Sequence, residues 1–173
     1  MKAVKASQPL PPSPLAILSN PDTVQWQMQQ LQHQVACRAF ELFESRSGEH
    51  GHDWEDWFQA ESELLRPVSI AMLESDDRLS VRANVLGFDE TELKVSIEPL
   101  RISIVGRKGM SQAETEGGKR TYIDWYPDQI MRVIPLPMEI VPEKADIELR
   151  AGVLKFELPK AARQQIRPLA KTA

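Results

Sequence analysis

The chain has 173 residues, of which 27% are charged and 42% are hydrophobic, and its formal net charge at pH 7 is -4. This length allows one domain with a sizeable core, alone or with a small appendage, and the composition is that of an ordinary globular protein. The net charge, the lack of a dense Lys/Arg patch and the lack of an apolar run of roughly 20 residues predict neither a nucleic-acid partner nor a membrane partner.

Two features bear on the cellular location. Cys37 is the single cysteine, so it cannot form an internal disulfide. No positively charged start followed by an apolar core marks a signal peptide. The sequence therefore predicts a cytoplasmic protein.

The first predicted element is a proline-rich arm over residues 1–21. Its five prolines disfavour both helix and sheet and favour an extended, mobile chain. The same arm contains Leu10, Leu15, Ile17 and Leu18. One interpretation is a disordered tail with incidental apolar residues. The other is an adhesive arm that contacts partner subunits or unfolded chains.

Residues 22–66 are predicted to form a two-helix module. Apolar residues spaced by three and four place one stripe on a long first helix, which Asp22 or Thr23 caps and which ends near Ser47-Gly48. A second helix is predicted to begin at Asp53, whose side chain caps the following amides, and to end at Arg66-Pro67. A short loop between two helices predicts a hairpin.

The side chains of this module set two further expectations. Trp26, Trp54 and Trp57 lie here, so the module has large rings to bury but too few residues to be firmly stable alone. We therefore expect the hairpin to pack against another part of the protein. Cys37 on the first helix is predicted to be a small buried hydrophobe rather than a reactive thiol.

Residues 67–160 carry a period-two apolar pattern that predicts antiparallel strands. Strict alternation places one set of side chains on a buried face and the other in water. Strands at intervals of roughly 8 to 12 residues leave no room for crossover helices, so they predict a β-sandwich. The alternating positions are Val68, Ile70 and Met72; Leu79, Val81, Ala83 and Val85; Leu93, Val95 and Ile97; Ile102 and Ile104; Ile130, Ile134 and Leu136; Ala145, Ile147 and Leu149; Leu154, Phe156 and Leu158.

A polar excursion and a basic tail complete the chain. Tyr122, Ile123 and Trp125 follow a polar, glycine-containing loop and predict a short aromatic strand. After Pro159 the chain becomes basic and thinly apolar, and residues 161–173 are predicted to be a flexible tail.

In their order and spacing, several segments of residues 67–160 resemble the small heat-shock proteins, whose shared unit is the α-crystallin domain. The resemblance implies an immunoglobulin-like antiparallel β-sandwich, and a homodimer or a higher oligomer. It also implies an ATP-independent holdase without a cofactor, which binds partly unfolded proteins. The segments that carry the resemblance are Leu86-Gly87-Phe88-Asp89, Leu93-Lys94-Val95-Ser96-Ile97, Ile102-Ser103-Ile104-Val105-Gly106-Arg107, Lys144-Ala145, Gly152-Val153-Leu154 and Leu158-Pro159-Lys160.

The helical hairpin is similar to a different unit, a short bacterial module of unknown function. That similarity implies no chemistry, and a hairpin ahead of the sandwich is unusual for a small heat-shock protein. The segments that carry it are Arg38-Ala39-Phe40-Glu41-Leu42-Phe43-Glu44, His52-Asp53-Trp54-Glu55-Asp56-Trp57 and Ala60-Glu61.

A holdase needs exposed apolar surface without a pocket of fixed shape, because its clients share no common sequence. One buried aliphatic side chain contributes about 1.5 to 3 kcal/mol, so several contacts must act together. The arm with the Trp-rich hairpin is one candidate client surface. The other is a groove between two strands, although most of its side chains must also serve the sandwich core. The groove residues are Leu93, Val95, Ile97, Ala145, Ile147 and Leu149.

The resemblance also implies a dimer interface that contains Tyr122, Ile123, Trp125 and Arg132. The aromatic strand is either a core flap or, as in bacterial members of the family, a strand donated to the other subunit. We favour donation, because an aromatic strand on a long polar excursion cannot easily fold back. Arg132 either faces water or pairs with a carboxylate across the subunit boundary.

Two positions depart from the family pattern. Leu86 stands where the family usually has proline, which affects only a loop. In the tail, oligomer-building members carry two aliphatic residues separated by one, whereas Ile166 and Leu169 are three apart and Pro168 lies between them. An extended segment places these two on opposite faces, so the tail anchor is either missing or rebuilt.

No nucleophile motif, phosphate-binding glycine loop or zinc-protease helix occurs, so the sequence predicts a protein that is not an enzyme. Glu49, His50, His52 and Asp53 are the best candidate metal ligands. Two histidines in a polar loop are more often solvated or capping residues, so no metal site is predicted. The alternative function is a non-catalytic adaptor or co-chaperone, in which the sandwich is a scaffold and the hairpin docks one folded partner.

Overall fold

The computed structural model describes residues 17–108 and 129–162. Within these ranges, helices α1 (Pro21–Ser45) and α2 (Asp53–Leu64) precede seven strands. The strands are β1 (Ile70–Glu74), β2 (Arg78–Asn84), β3 (Leu93–Glu98), β4 (Arg101–Arg107), β5 (Gln129–Pro135), β6 (Asp146–Arg150) and β7 (Val153–Pro159). A single 3-10 turn, Pro142–Lys144, lies between β5 and β6.

The strands form two antiparallel sheets that share one core. One sheet has the order β1-β2-β7-β6, and the other has the order β3-β4-β5. In β2 and β7 every second side chain is buried, and Val81 lies opposite Phe156 in the register between them. Since the inward-facing residues of both sheets belong to one buried cluster, the predicted immunoglobulin-like β-sandwich is confirmed.

Strand β1 departs from the predicted alternation. Ile70 is half-buried, but Met72 and Leu73 are exposed. Within the described residues β1 pairs only with β2, so it lies at the edge of the wider sheet, where its side chains have fewer neighbours. The sequence pattern predicted the strand correctly, and among its alternating residues only the burial of Met72 was predicted incorrectly.

The helical hairpin packs on the outward side of β4. Val24, Met28, Leu31 and Val35 form the buried stripe of α1, and they cluster with Val105 of β4. The expectation that the hairpin packs against another part of the protein is thus confirmed. The expectation that it buries large rings is wrong for two of its tryptophans, since Trp26 and Trp54 are exposed and only Trp57 is partly buried.

The helix starts also differ from the predicted ones. The first helix begins at Pro21, and the Asn20 side chain accepts a hydrogen bond of 2.9 Å from the backbone N–H of Asp22. An N–H at this position would have no acceptor within the helix, so proline, which lacks the N–H, loses no bond there. Its φ is also already helical. Residue His52 precedes α2 without a side-chain capping bond, and Asp53 is the first helical residue.

The predicted arm ends earlier than residue 21. Ile17 is only 2% exposed and belongs to the buried cluster of the sandwich. Residues 17–20 are therefore part of the folded unit. Residues 1–16 of the arm lie outside the described residues.

We expect Gly152→Ala to destabilise the protein. Gly152 has φ +74, and a Cβ there lies 2.7 Å from Leu86 Cδ1 and 2.9 Å from Leu86 Cα, so a loop must shift. Such crowding costs about 1 to 3 kcal/mol. The matched control is Gly48→Ala, because Gly48 has a similar φ of +69 but its Cβ meets Phe43 only at 3.5 Å. Thermal melts should show the larger loss for Gly152→Ala, and equal losses would contradict the steric argument.

Candidate functional site

The outer edge of β3 is covered by residues 17–19, which we call the covering segment. The Val95 N–H donates to the Ile17 carbonyl at 3.0 Å, and the Ser19 N–H donates to the Val95 carbonyl at 2.9 Å. Leu18 and Val95 are thereby partners in a parallel bridge. The backbone groups of Val95 that point away from β4 are both satisfied within the chain.

The six predicted groove residues lie on β3 or on and beside β6, the edge strands of different sheets. Leu93, Val95 and Ile147 are buried in the core of the sandwich. The other three, Ile97, Ala145 and Leu149, are partly buried and pack against the same cluster. The core role that the sequence analysis foresaw for these side chains is therefore their main role in the described structure.

The outer edge of β1 has no partner among the described residues. The Asn84 N–H donates to the Ser69 carbonyl at 3.0 Å. Hydrogen-bonded and non-hydrogen-bonded pairs alternate along an antiparallel ladder. Met72 lies three residues beyond Ser69, so it is in a non-hydrogen-bonded pair and its amide points away from β2. Leu73, at 72% exposure, adds an apolar side chain to this strand. This edge can accept another strand without breaking any described bond.

Helix α2 presents aromatic rings to solvent on an acidic background. Trp54 and Phe58 are 75% and 62% exposed, and their ring centroids are 6.2 Å apart. They lie one helical turn apart, opposite to Ala60 and Asp56, which are buried against α1. The acidic residues of α2 are Asp53, Glu55, Asp56, Glu61 and Glu63, and the helix has no lysine or arginine.

Two ion pairs bridge the helical hairpin. The buried carboxylate of Asp56 accepts a hydrogen bond from Arg46, the residue that follows α1. Farther along, Arg38 Nε donates to Glu63 Oε2 at 2.6 Å. Hydrogen bonds from Arg38 and then from Gln59 hold the pKa of the Glu63 carboxyl below its usual value.

Of the predicted dimer residues, the structure describes only Arg132. It lies exposed on β5, an edge strand of the smaller sheet, and no carboxylate in the described ranges forms a salt bridge with it. The aromatic strand with Tyr122, Ile123 and Trp125 lies outside the described residues. The same holds for the tail residues Ile166 and Leu169.

The candidate metal ligands are not brought together. No group of three His, Cys, Asp or Glu side chains suited to a metal occurs in residues 17–108 and 129–162. His50 instead packs against Phe43, with ring centroids 5.5 Å apart, and His52 Nδ1 lies 2.5 Å from Glu55 Oε2. The prediction of a buried Cys37 is wrong, because Cys37 is exposed, with its Sγ 3.6 Å from His33 Nε2.

Two features were missed from the sequence. The covering segment belongs to the apolar run before Asn20-Pro21, and that run could have suggested a strand that leads into the helix. The Arg46–Asp56 pair had no such signal, because its partners meet only when the two helices fold against each other.

No described helix is both long and apolar enough to span a bilayer.

The fold and its edges define the class of protein, an immunoglobulin-like β-sandwich with a docked helical hairpin. The model of the Hsp20/alpha crystallin family matches residues 71–171, more than half of the chain. The chain therefore belongs to that family. A second family model, described as a protein of unknown function (DUF2934), matches residues 30–66.

Solved structures with similar folds come from small heat-shock proteins. Heat shock protein 16.0 from Schizosaccharomyces pombe is 20% identical, and the match covers 62% of this chain and 99% of that chain with a TM-score of 0.49. A small heat-shock protein from Xylella fastidiosa is 22% identical, and the match covers 62% and 98% of the two chains with a TM-score of 0.47. No curated protein sequence matches the chain.

We expect Glu63→Gln to lower the thermal midpoint at pH 7, because it removes the carboxylate that Arg38 binds. A carboxyl with a lowered folded-state pKa stabilises the protein above its unfolded-state pKa, and this stabilisation is lost as the pH falls through the folded-state value. The difference in thermal midpoint between wild type and E63Q should therefore become smaller as the pH falls from 5 to about 3. E61Q, on the same helix, is the control and should show a smaller change at pH 7. A pH-independent difference would contradict the ion-pair explanation.

Proposed function

We propose that this protein is an ATP-independent holdase of the cytoplasm, which binds partly unfolded proteins and suppresses their aggregation. Membership of the Hsp20/alpha crystallin family supports a chaperone-type role. The observation that supports holdase activity itself is the exposed apolar surface on both units of the fold, above all Trp54, Phe58 and Leu73. Catalysis and a cofactor have no part in it, since holding an unfolded chain needs only apolar contact.

Several weak contacts give this surface useful affinity without sequence selectivity. Burial of one such side chain contributes about 1.5 to 3 kcal/mol, whereas micromolar affinity requires about 8 kcal/mol before the costs of association. Three or more contacts on one client are therefore needed. Exposed apolar side chains on the hairpin and on β1 meet that need, because unfolded chains of any sequence offer apolar side chains at variable spacing.

The groove between β3 and β6 contributes in a different way. The side chains of Leu93, Val95 and Ile147 are already used by the core, and the covering segment bonds the outward backbone groups of Val95. The groove therefore offers the remaining backbone groups of the two edges and the partly buried Ile97 and Leu149. An extended client segment binds such an edge through main-chain hydrogen bonds. We propose the exposed hairpin face and the Leu73 side chain as the main apolar surfaces for clients, and the groove as the strand-binding surface. The edge of β1 is left to the partner subunit.

The proposed assembly is a homodimer, or a higher oligomer built from that dimer, in which each subunit donates the predicted strand of Tyr122, Ile123 and Trp125 to its partner. The open edge of β1 is the proposed receiving strand, because the Met72 amide points away from β2. Arg132 is exposed on β5, where it is free of described salt bridges and can pair with a carboxylate of the partner. Ile166 and Leu169 of the tail remain the proposed anchor for larger assemblies.

The alternative is a dedicated interaction adaptor or co-chaperone that uses the sandwich only as a scaffold. The stacked Trp54 and Phe58 on the acidic surface of α2 favour this role, since aromatic residues in one place are typical of specific interfaces. Such a protein would bind one folded partner and ignore unfolded chains.

The holdase proposal predicts that the purified protein, at an equimolar subunit ratio, reduces the heat-induced light scattering of an aggregation-prone model enzyme, with or without ATP. The double variant Trp54→Ser/Phe58→Ser should suppress the scattering about twofold less than wild type. Both rings are exposed, so their loss removes apolar contacts with the client and leaves the core intact. E61Q is the polar control on the same helix and should act like wild type. Unchanged scattering with the wild-type protein would contradict the holdase and favour the adaptor.

The strand-exchange dimer predicts that Met72→Pro yields monomers. Proline removes the amide that points away from β2, and an edge strand tolerates proline there because its own ladder loses no bond. Met72→Ala is the matched control, since it shortens the same side chain but keeps the N–H, and it should remain dimeric. Size-exclusion chromatography with light scattering measures both masses. A dimeric Met72→Pro protein with wild-type circular dichroism would exclude β1 as the receiving edge.

A further inference from the structure

We propose that Arg66 and Lys108 form a binding site for one doubly charged oxyanion of the phosphate class. The site lies where the hairpin joins the sandwich, because Arg66 is in the linker between α2 and β1 and Lys108 directly follows β4. It contains none of the residues proposed above for clients or for the dimer.

Both cations pack against the ring of Phe88. Arg66 Cζ lies 4.6 Å from the ring centroid, and Lys108 Nζ lies 5.8 Å from it. A Cβ on Gly87 would lie 3.7 Å from Arg66 Nη1 and 3.4 Å from Lys108 Nζ, so both groups are within 4 Å of one point. Gly87 has no side chain to fill the space there. A single anion can therefore contact the guanidinium and the ammonium together.

Neither cation has a counterion in the described part of the chain. No carboxylate in residues 17–108 and 129–162 forms a salt bridge with Arg66 or Lys108. In addition, Arg66 Nη2 is buried and has no hydrogen-bond partner among these residues. The Phe88 ring attracts both charges through its face but supplies no oxygen acceptor. A buried donor without an acceptor is unfavourable, and in folded proteins it often marks the place of an ion or a water molecule.

The two donors favour phosphate over a carboxylate. A guanidinium presents parallel N–H groups to two oxygens of one anion, and an ammonium adds a further donor. A phosphate carries nearly two negative charges at neutral pH and so balances both cations, whereas a carboxylate balances only one. Arg66 and Lys108 are each half-buried, which weakens the screening of their charges by solvent.

An anion at this position fastens the hairpin to the sandwich. The Arg66 N–H already donates to the Gln129 carbonyl at 2.9 Å, so the backbone of the linker is held by β5. The bound anion connects the side chain of the same residue to Lys108 at the end of β4. The link forms only when the hairpin is docked, so the anion stabilises the docked arrangement.

The test measures the binding of inorganic phosphate to the full-length protein by isothermal titration calorimetry at constant ionic strength. Lys108→Gln removes one cation of the site, whereas Lys144→Gln makes the same change at an exposed lysine outside it. Lys108→Gln should bind phosphate at least about tenfold more weakly than wild type, because one cation then faces two negative charges. Lys144→Gln should bind like wild type. Equal affinity for all three proteins would overturn the proposal, as would acetate that binds the wild type as tightly as phosphate.

A second measurement needs no variant and remains informative if Lys108→Gln fails to fold. In NMR spectra of the wild-type protein, phosphate should shift the backbone amide signals of Gly87 and Phe88 until the site is saturated, and it should leave the signal of Asp76 in place. Unshifted signals of Gly87 and Phe88 would overturn the proposal.

O-phosphoserine in the same titration distinguishes the two sources of phosphate chemistry. Tighter binding than that of inorganic phosphate assigns the site to a phosphorylated side chain, and weaker binding assigns it to the free anion. No client is present in these measurements, so failure of the holdase in light scattering leaves their outcomes independent.

Discussion

Strand β4 is buried on both of its faces, and this double burial joins the two parts of the molecule. Ile102 and Ile104 face the opposite sheet with no exposure, while Val105 on the other side is covered by the hairpin. On that same outward side, Ser103 lies opposite Ser96 of β3, and both are buried. The small side chains of these serines allow α1 to approach the sheet closely. The hairpin thus completes the burial of a strand that a bare sandwich would leave half in water.

The covered and the open edges described above belong to different sheets. The first helix of the hairpin leads directly from the covering segment, so β3 is covered where α1 begins. On the other sheet, β1 has no such neighbour within the described residues and exposes Leu73. Among the described edges, β3 is therefore covered at Val95 and β1 is open. In the proposed homodimer, the open edge of β1 receives a strand of the second subunit.

The acidic face of the hairpin adds a different kind of surface. Trp54 and Phe58 remain exposed because the buried face of α2 is occupied by Asp56 and Ala60. The Arg46–Asp56 pair and the Arg38–Glu63 pair bridge the helices beside the apolar cluster, so the hairpin closes without Trp54 and Phe58. This arrangement leaves the rings for intermolecular contact, which both proposed functions require.

The sequence by itself determined the elements and most of the core. Period-two alternation placed Leu79, Val81, Leu154 and Phe156 on the inner faces, because side-chain direction in a strand follows directly from position. Family motifs added the sandwich topology. By contrast, tertiary structure alone decided that Ile17 is buried and that Trp26, Trp54 and Cys37 are exposed. Burial depends on which neighbour covers a face, and those neighbours come from distant parts of the chain, so local spacing cannot encode it.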